Sequence, residues 1–441
     1  MKDPRSRAAH VLAEMQRRRA TTRQVWEGPR AGAETALVLG VLRRRATLDA
    51  VLTAHSSRKL PLLKPDTLAA LRVALFEMLF FADTPSHAIV HAAVERTKEA
   101  GRFKDVGFVN AVLRGVVRGS RRMPAREAGD PRRTVLRDRD DTAVVFDRFC
   151  FPDPAADPEA FLAARGSTPP WLAARRLAEL GFERALACLE LQASTPPTHV
   201  RVAPGRVEDV RRALNEASLP WSDGPSDAML TLPPEVRASD LFAAAGAWIV
   251  VQDAVASQVA PFLAPAPGAR VLDYCAAPGG KATHLAQLVG PEGSVTAHDA
   301  KPDRLEKVAE NAARLGLAHL RCGPPEGTYD AVLVDAPCSN TGVLARRPEA
   351  RWRVRAKHLP GMAERQLAIL RAAAEHVAAG GRLVYSTCSL EPEENGGVVR
   401  AFVGKRPDFT LEEARTVHPD EGGGDGGFMA RFTRSAPRVS S

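Results

Sequence analysis

Two cysteines of the sequence stand where a side chain can do covalent chemistry. Cys338 lies in "DAPCSN", after the apolar run "YDAVLV", and Cys388 lies in "YSTCSLEPEEN", after "RLV". The thiolate is the nucleophilic form of cysteine, and the positive end of a helix predicted to begin near Pro392 favours it, although the glutamates of "EPEEN" oppose it. The alternative for either cysteine alone is an inert buried side chain. The residues by themselves do not rank the two thiols.

A second chemical feature is the Gly/Pro turn "CAAPGGK" at residues 275–281. It leads into a predicted helix, whose exposed N–H groups favour a negatively charged group, and its two glycines permit close approach of a ligand. A P-loop is excluded, because Cys275 stands where that motif needs glycine and Ala282 where it needs Ser or Thr. The turn does not fit G-x-G-x-x-G either. A purely structural strand-to-helix turn is the alternative.

Asp299 ends the next predicted strand, "SVTAHD". An acidic residue at this place accepts hydrogen bonds from a ribose in many nucleotide sites. Its alternative role is to cap the helix that we expect near Pro302. The turn and the acid together favour a ligand that contains adenosine but no phosphates.

For these residues to form one site, the fold must bring the ends of several strands together. After residue 246 the text alternates apolar strands ("RVLDYC", "SVTAHD", "YDAVLVD", "RLVYS") with amphipathic helices, and "GFMARFTR" can add one closing strand. The pattern predicts an α/β domain with a parallel, doubly wound sheet over residues 246–441. In such sheets ligands bind at the carboxyl ends of the strands. The chemistry should therefore lie just after each strand.

The text before residue 246 predicts three further segments. Residues 1–122 read as an all-helical bundle, since apolar residues recur at helical spacing. The charged and Pro-rich residues 123–167 read as a linker or a poorly ordered insertion. A helix with Pro170 near its start then opens a small α+β module over residues 168–245.

The net charge of +9 is unevenly distributed. The first 122 residues hold 23 Lys and Arg against 11 Asp and Glu, whereas the remainder holds 38 against 41. The clusters Arg17–Arg19 and Arg43–Arg45 suit contacts with nucleic-acid phosphates, and a solvated arginine-rich surface is the alternative. A basic first domain therefore indicates a nucleic-acid partner.

Other features point to a soluble cytoplasmic protein without metal. No segment resembles a secretory signal or a membrane span. Six cysteines in 441 residues are too sparse for a disulfide framework and form no C-x-x-C pair. His87 and His91 have ligand spacing but no third ligand nearby, so we expect no metal site.

The motifs taken together resemble a known family. "LDYCAAPGGKATH", "DAPCSNTGV" with the following "RRPEARWR", and "YSTCSLEPEEN" are similar, in this order, to three signature motifs of the S-adenosylmethionine-dependent RNA cytosine-5 methyltransferases of the Sun family. "GAWIVVQDAVASQVAP" and "PPTHVRV" resemble the family's segments before the first strand. "LRVALFEMLFF" and "GFVNAVLRGVV" resemble the NusB-like RNA-binding domain. This combination is characteristic of the RsmB subgroup.

The resemblance implies a Rossmann-like class I methyltransferase domain preceded by a NusB-like bundle and a small RNA-binding module. It implies Cys388 as the nucleophile, Cys338 as the group that assists product release, and Asp335 as a contact to the target base or to the methionine end of the cofactor. The cofactor implied is S-adenosylmethionine, held by Cys275, Ala276, Ala277, Pro278, Gly279, Gly280, Lys281, Asp299 and Asp335. Structural roles remain the alternatives for Asp335, as a turn cap, and for Lys281, as a solvated residue.

The activity implied is methylation of cytosine C5 in small-subunit (16S) ribosomal RNA by a monomer acting on an unassembled or partly assembled subunit. A thiolate that adds to C6 makes C5 nucleophilic enough to accept a methyl group. Basic residues after Cys338 suit the RNA backbone, with Trp352 as a stacking surface or a core residue: Arg346, Arg347, Arg351 and Arg353.

One departure from the family pattern concerns the adenine contact. "HLRCGPPEGTYD" lacks the usual acidic residue after the third strand, and Glu326 is a possible substitute. Transfer RNA and large-subunit RNA are alternative substrates. A non-catalytic RNA-binding assembly factor with a decayed methyltransferase domain is the alternative from another class.

Overall fold

The computed structural model describes residues 3–26, 32–81, 84–136 and 141–436. The chain divides into two compact units. The first comprises residues 1–195 with 344–353, and the second comprises residues 196–343 with 354–441. None of the helices within the described residues is both long and apolar enough to cross a membrane.

The helices of the described residues are α1 (Pro4–Arg18), α2 (Thr22–Val25), α3 (Gly32–Arg43), α4 (Arg45–His55), α5 (Pro65–Phe80), α6 (Ser86–Glu99), α7 (Val106–Arg118), α8 (Pro158–Arg165), α9 (Pro170–Leu180), α10 (Phe182–Ala193), α11 (Val207–Glu216), α12 (Ala238–Ala245), α13 (Ala254–Leu263), α14 (Gly280–Val289), α15 (Glu306–Arg314), α16 (Pro348–Arg353), α17 (Leu359–Ala374) and α18 (Gly396–Lys405).

The strands are β1 (Ser120–Pro124), β2 (Thr134–Leu136), β3 (Thr142–Phe146), β4 (Thr198–Val202), β5 (Ser222–Asp223), β6 (Met229–Leu232), β7 (Ile249–Val251), β8 (Arg270–Asp273), β9 (Ser294–Ala297), β10 (Leu320–Cys322), β11 (Tyr329–Asp335), β12 (Val377–Thr387), β13 (Phe409–Val417) and β14 (Gly427–Arg434).

The first unit is built around α5. All but the first residue of this helix are buried, and α1, α3, α6 and α7 pack against it. The helix is apolar on nearly all sides, which explains its central place; its two buried charged residues near the middle and end, Arg72 and Glu77, pair with Asp49 and Arg5 respectively. The all-helical bundle predicted for residues 1–122 is confirmed for the described residues up to Gly119, whereas β1 begins at Ser120.

The segment predicted as a linker is folded. β1, β3 and β2 form an antiparallel sheet in that order, and α8 follows it. The physical reason is that the short runs "TVL" and "TAVVF" supply enough buried apolar side chains to hold a small sheet, although charged residues surround them. The linker prediction for residues 123–167 is therefore wrong where the segment is described; residues 137–140 lie outside the described residues.

The predicted α+β module is divided between the two units. The helix predicted to start near Pro170 is α9, which lies in the first unit with α8 and α10. From residue 196 onward, an antiparallel sheet with the strand order β5-β6-β4-β7 packs with α11 and α12 around its own core in the second unit.

The larger sheet of the second unit has the strand order β10-β9-β8-β11-β12-β14-β13. The first five strands are parallel, and β14 and β13 are antiparallel to their neighbours. Separate apolar cores on the two faces include residues of α13–α15 and of α17–α18 respectively. The doubly wound α/β prediction is confirmed, and "GFMARFTR" is the closing strand β14.

Two local predictions need correction. β13 was not expected, because "FTLEEARTV" is polar and exposed along most of its length; pairing with β14 makes it an edge strand. The helix predicted to begin near Pro392 begins at Gly396, because side-chain hydrogen bonds hold the preceding residues in a turn. Its N-terminus is therefore farther along the chain from Cys388 than expected.

Arg351 corrects the prediction that the arginines after Cys338 contact RNA. This residue lies in the first unit, is 1% exposed, and donates hydrogen bonds to four backbone carbonyls, those of Arg43 (3.0 Å), Gly166 (3.1 Å), Ser167 (2.7 Å) and Gln192 (2.7 Å). Burial lowers its pKa to about 9, so the guanidinium stays charged at neutral pH.

Trp352 adopts the core role that was left open for it. Its indole Nε1 donates to the carbonyl of Leu42 at 2.8 Å, and its ring packs against the helical core of the first unit. Arg347 and Arg353 are exposed, so a contact between these two side chains and RNA stays a prediction.

We expect Arg351→Ala to destabilise the first unit by about 3 kcal/mol or more, because it leaves buried carbonyls without donors and creates a cavity. Arg353→Ala is the matched control, since that side chain is exposed two residues away. Thermal unfolding followed by circular dichroism measures both. Equal melting temperatures for the two variants would contradict the anchoring role of Arg351.

Candidate active site

The strands β8, β9, β11 and β12 end at one edge of the parallel sheet. They end at Asp273, Ala297, Asp335 and Thr387 respectively. In the registers of β11, Leu333 pairs with Asp273 and Asp335 pairs with Ser386. The segments that sequence analysis selected therefore follow neighbouring strands on the same side of the sheet.

The two thiols predicted from the sequence lie in contact. The Sγ atoms of Cys338 and Cys388 are 3.2 Å apart, Cys338 is buried, and Cys388 is half-buried. The hydrogen bond to Cys388 and burial together raise the pKa of Cys338 well above its ordinary value. Cys338 is therefore a neutral thiol at neutral pH. Its S–H group can donate a hydrogen bond to the sulfur of Cys388.

Asn340 connects the same two residues. Its Oδ1 lies 3.3 Å from the Sγ of Cys388, and its Nδ2 donates to the carbonyl of Cys338 at 2.8 Å. Asn340 has a φ of 63°, a left-handed conformation that asparagine tolerates better than most residues. The turn after β11 thus orients a carboxamide toward the half-buried thiol.

Asp335 and Lys281 form an ion pair beside the thiols. The Nζ of Lys281 is 2.7 Å from Oδ2 of Asp335, and the hydroxyl of Ser386 donates to Oδ1 at 3.0 Å. Burial alone would lower the pKa of Lys281, but the charge and hydrogen bond of Asp335 outweigh it, so the pKa is raised. The side chain of Asp335 remains 34% exposed, which leaves it able to contact a ligand.

Sequence analysis missed Asp273. Its side chain is fully buried, and neither carboxylate oxygen accepts a hydrogen bond of regular geometry from the described residues, although the nearby backbone N–H of Cys275 favours the ionised form. Burial and the nearby charge of Asp335 raise its pKa to about 7. The available signal was its position, because it is the acid that ends the first strand directly before the "CAAPGGK" turn.

The turn of residues 275–281 requires glycine at position 279. Gly279 has a φ of 108°, and a Cβ at that position would lie 3.1 Å from the Cα of Val308. Gly280 then begins α14, whose first N–H groups have no partner within the helix. Cys275 is half-buried, and burial raises the pKa of its thiol, which disfavours the nucleophilic thiolate form.

Asp299 is engaged locally. Its carboxylate accepts from the N–H of Lys301 at 3.0 Å and pairs with Arg304 at 3.2 Å. The same arginine donates to the carbonyl of Ala277 at 3.0 Å. Asp299 does not cap the following short helix, whose N-cap residue is Lys301; its contacts form a local turn and fix the acid next to residues 275–281.

Neither acidic residue of "HLRCGPPEGTYD" is identified as the adenine contact by its surroundings. Asp330 accepts a hydrogen bond from the N–H of Arg270 at 2.8 Å, at the opposite end of β8. Glu326 is 66% exposed and pairs with Arg321 at 3.2 Å. We therefore assign neither carboxylate to a ligand.

The sequence patterns also did not predict a buried carboxylate that binds the residues next to the two thiols. Glu394 is fully buried and accepts from the N–H of Ser339 (2.8 Å), from the Nε2 of Gln366 (2.8 Å), and from the hydroxyls of Ser339 and Ser389 (2.5 Å for the latter). Ser339 follows Cys338 and Ser389 follows Cys388. One carboxylate thus ties together the two chain segments that carry the thiols.

Gly342 adds a backbone constraint to the same region. Its N–H donates to the carbonyl of Cys388 at 2.9 Å, and its carbonyl accepts from the N–H of Gly426 at 2.8 Å. A Cβ at this position would collide with the carbonyl oxygen of Gly426. Only glycine therefore allows the three segments to approach so closely.

The described residues of the site do not form a set of metal ligands. Within the ranges that the structure describes, no three His, Cys, Asp or Glu side chains are grouped so that they could hold a metal ion. The arrangement supplies instead a thiol pair, an ion-paired carboxylate with partial exposure, and a helix N-terminus. Those groups suit nucleophilic addition to a planar substrate next to a bound zwitterionic or anionic ligand.

Comparison with known proteins agrees with this arrangement. The profile of the 16S rRNA methyltransferase RsmB/F family matches residues 260–432, and the profile of the NusB family matches residues 2–118. A ribosomal RNA small subunit methyltransferase B from Escherichia coli O1:K1 is 32% identical, over 90% of this chain and 89% of its own.

Two further relatives support the same grouping. A probable ribosomal RNA small subunit methyltransferase B from Bacillus subtilis is 31% identical, over 86% of this chain and 81% of its own. A solved methyltransferase homolog protein from Pyrococcus horikoshii, 26% identical, superposes with a TM-score of 0.55 over 64% of this chain and all of its own. The chain therefore belongs to the 16S rRNA methyltransferase RsmB/F family.

Proposed function

We propose that the protein transfers a methyl group from S-adenosylmethionine to C5 of a cytosine in small-subunit ribosomal RNA through a covalent bond between Cys388 and C6. The observation that carries this proposal is the contact between Cys338 and Cys388 at the carboxyl edge of the sheet. The names of the relatives, which act on small-subunit ribosomal RNA, support the choice of RNA.

The residues of the second unit fit the proposed cofactor. The N-terminus of α14 favours a carboxylate, and the buried carboxylate of Asp273, which has no ion pair with the described residues, favours a nearby positive charge. S-adenosylmethionine carries both, together with the electrophilic methyl group that it supplies when bound. Residues 275–281 with Asp299 and Asp335 would hold it.

The half-buried thiol is the better candidate for attack. Cys388 is more accessible than Cys338, and Cys338 can stabilise its thiolate by a hydrogen bond. Attack on C6 forms the S–C6 bond and moves the ring electrons to C5, which then takes the methyl group. Asp335, which Lys281 and Ser386 hold in position, would accept a hydrogen bond from the amino group of the base.

The second thiol takes part in product release. Once the sulfur of Cys388 is bonded to C6, it no longer carries the charge that opposes ionisation of Cys338. Cys338 can then lose its proton to solvent and take the proton from C5. The C6–S bond breaks as C5 regains its double bond with C6, and the sulfur leaves as the Cys388 thiolate.

One prediction distinguishes the roles of the two cysteines. Cys388→Ala should abolish methylation of small-subunit RNA by labelled S-adenosylmethionine, whereas Cys338→Ala should accumulate a covalent protein–RNA adduct on denaturing gels. Mapping of 5-methylcytosine in the wild-type product checks the position. The reverse assignment of phenotypes would exchange the two roles, and label at an atom other than C5 would overturn the proposed function.

The second prediction concerns Asp273 and pH. A positively charged ligand favours the ionised carboxylate, so the affinity for S-adenosylmethionine should rise with pH until Asp273 is ionised, near pH 7. Below that value, each lost pH unit should weaken binding by at most about tenfold. Asp273→Asn cannot titrate and should lose this dependence. Calorimetric titration from pH 5.5 to 8.5 measures both proteins, and parallel curves would refute the assignment.

The third prediction concerns Glu394 as a positioning residue. Glu394→Ala should lower kcat about 100-fold while the KM for S-adenosylmethionine stays nearly unchanged, because the thiols lose their relative placement. Glu394→Gln should retain most activity. The amide oxygen of the glutamine can accept from the N–H of Ser339 and from Gln366, and its NH2 group can donate to the serine hydroxyls, which accept as well as donate.

The matched control for this substitution is Glu310→Ala, which removes an exposed glutamate from the same unit. A purely structural role of Glu394 would lower the melting temperature of Glu394→Ala without the split between kcat and KM. Equal activity of the Ala and Gln variants would also contradict positioning.

A further inference from the structure

A cleft of about 840 Å³ lies in the first unit, between residues 57–64 and residues 101–105. The first segment connects α4 to α5, and the second connects α6 to α7. We call it the lysine cleft, because Lys59, Lys64 and Lys104 line it. None of the features of the candidate active site involves these two segments.

The lysine cleft carries a strong excess of positive charge. Five cationic side chains line it against one carboxylate, that of Asp105. Arg58 pairs with Asp105 at 2.8 Å, and Thr67 donates a further hydrogen bond to the same carboxylate. The ammonium groups of Lys59, Lys64 and Lys104 have no ion pair or hydrogen bond with any residue that the structure describes. Three uncompensated charges therefore face one cavity.

The two arginine clusters predicted to contact phosphates are less available to an external partner than these lysines. Arg43 and Arg44 are buried, and the guanidinium of Arg45 stacks on the ring of Trp352 at 4.8 Å. Arg17 forms ion pairs with Glu14 and Asp66. The prediction of phosphate contacts is therefore wrong for Arg43 and Arg44, because they are covered by protein. The lysine cleft, by contrast, brings together three exposed lysines that form no ion pair within the described part of the chain: Lys59, Lys64 and Lys104.

Two apolar side chains stand exposed among these lysines. Phe103 is 71% exposed and Leu62 is 79% exposed. No arginine of the described residues lies over the ring of Phe103. By contrast, the other well-exposed phenylalanine of this unit, Phe149, is covered by Arg132 at 4.2 Å and Arg133 at 4.3 Å. The ring of Phe103 is thus available to an external partner.

We propose that the lysine cleft binds a single-stranded segment of the substrate RNA, with phosphates on Lys59, Lys64 and Lys104 and a base stacked on Phe103. Unpaired bases stack on exposed aromatic rings, whereas the bases of a duplex are already stacked on each other. The inference rests on the proposed function for the identity of the nucleic acid. It assigns an RNA-binding site to the first unit.

The experiment measures binding of a fluorescent single-stranded RNA of about 12 nucleotides to the full chain by anisotropy, at several salt concentrations. A Lys59→Ala/Lys64→Ala/Lys104→Ala variant should reduce the slope of log affinity against log salt by about 2, since each lost phosphate contact removes about 0.7. Phe103→Ala should weaken binding about fivefold or more with an unchanged slope. A duplex of equal length should respond to the lysine changes but not to Phe103→Ala.

Two control variants are matched to these changes. Lys98→Ala removes an exposed lysine that is already paired with Glu95 at 2.7 Å, and Phe149→Ala removes the covered ring. Both should bind like the wild type. All substituted side chains are exposed, so unchanged circular dichroism is expected, and the binding data then report the cleft.

Wild-type affinity and slope in the triple-lysine variant would overturn the proposal, as would equal losses in the matched controls. Loss of affinity in the triple variant with no effect of Phe103→Ala would overturn the stacking part and leave a general anion site, such as one for an acidic protein segment. The proposed function fails separately, if a protein that binds RNA through the cleft forms no 5-methylcytosine and no adduct in the Cys338→Ala variant.

Discussion

The buried carboxylate of Glu394 is the interaction on which the geometry of the candidate site depends. It receives hydrogen bonds from Ser339 and Ser389, which directly follow the two cysteines, and from Gln366 of α17. A buried charge is costly unless it is fully hydrogen-bonded, and four donors meet that requirement. The same donors would be left without an acceptor if either cysteine segment moved. The hydrogen bonds to Glu394 therefore stabilise the contact between the two sulfurs.

The charge of Glu394 also bears on how the thiols share protons. Together with Cys388, this carboxylate opposes ionisation of Cys338, so that a second anion in the pair is disfavoured. If the sulfur of Cys388 loses its proton, Cys338 is therefore held as a thiol. The two roles required for addition and elimination at a cytosine ring need that asymmetry, because the attacking sulfur must be ionised while its neighbour still holds a proton.

The sequence was sufficient to predict the parallel sheet and the edge at which chemistry would occur. Period-two and helical patterns locate the strands, and parallel strands place Asp335, Cys338 and Cys388 on one side whatever the details of packing. It was not sufficient to predict Glu394 as an acceptor for four donors, since three glutamates occur within five residues and only packing selects one. Asp273 was missed for a related reason: its complete burial is a property of the folded core.

Short elements and charged side chains were the least predictable parts. The strands β2 and β3 span three and five residues, within text whose charge and proline content indicate disorder. Their pairing depends on neighbours that are distant in the sequence. The polar strand β13 likewise exists because β14 offers an edge for pairing.

The fates of the basic residues show why a count of charges cannot locate a nucleic-acid surface. An arginine side chain has five donors in a planar fork and is weakly hydrated, so protein carbonyls and carboxylates can satisfy it inside a fold. Arg351 and Arg43 are examples. A lysine ammonium is compact and strongly hydrated, and it tends to remain in solvent. In a basic domain such as this one, the unpaired lysines therefore mark the exposed positive potential better than the more numerous arginines do.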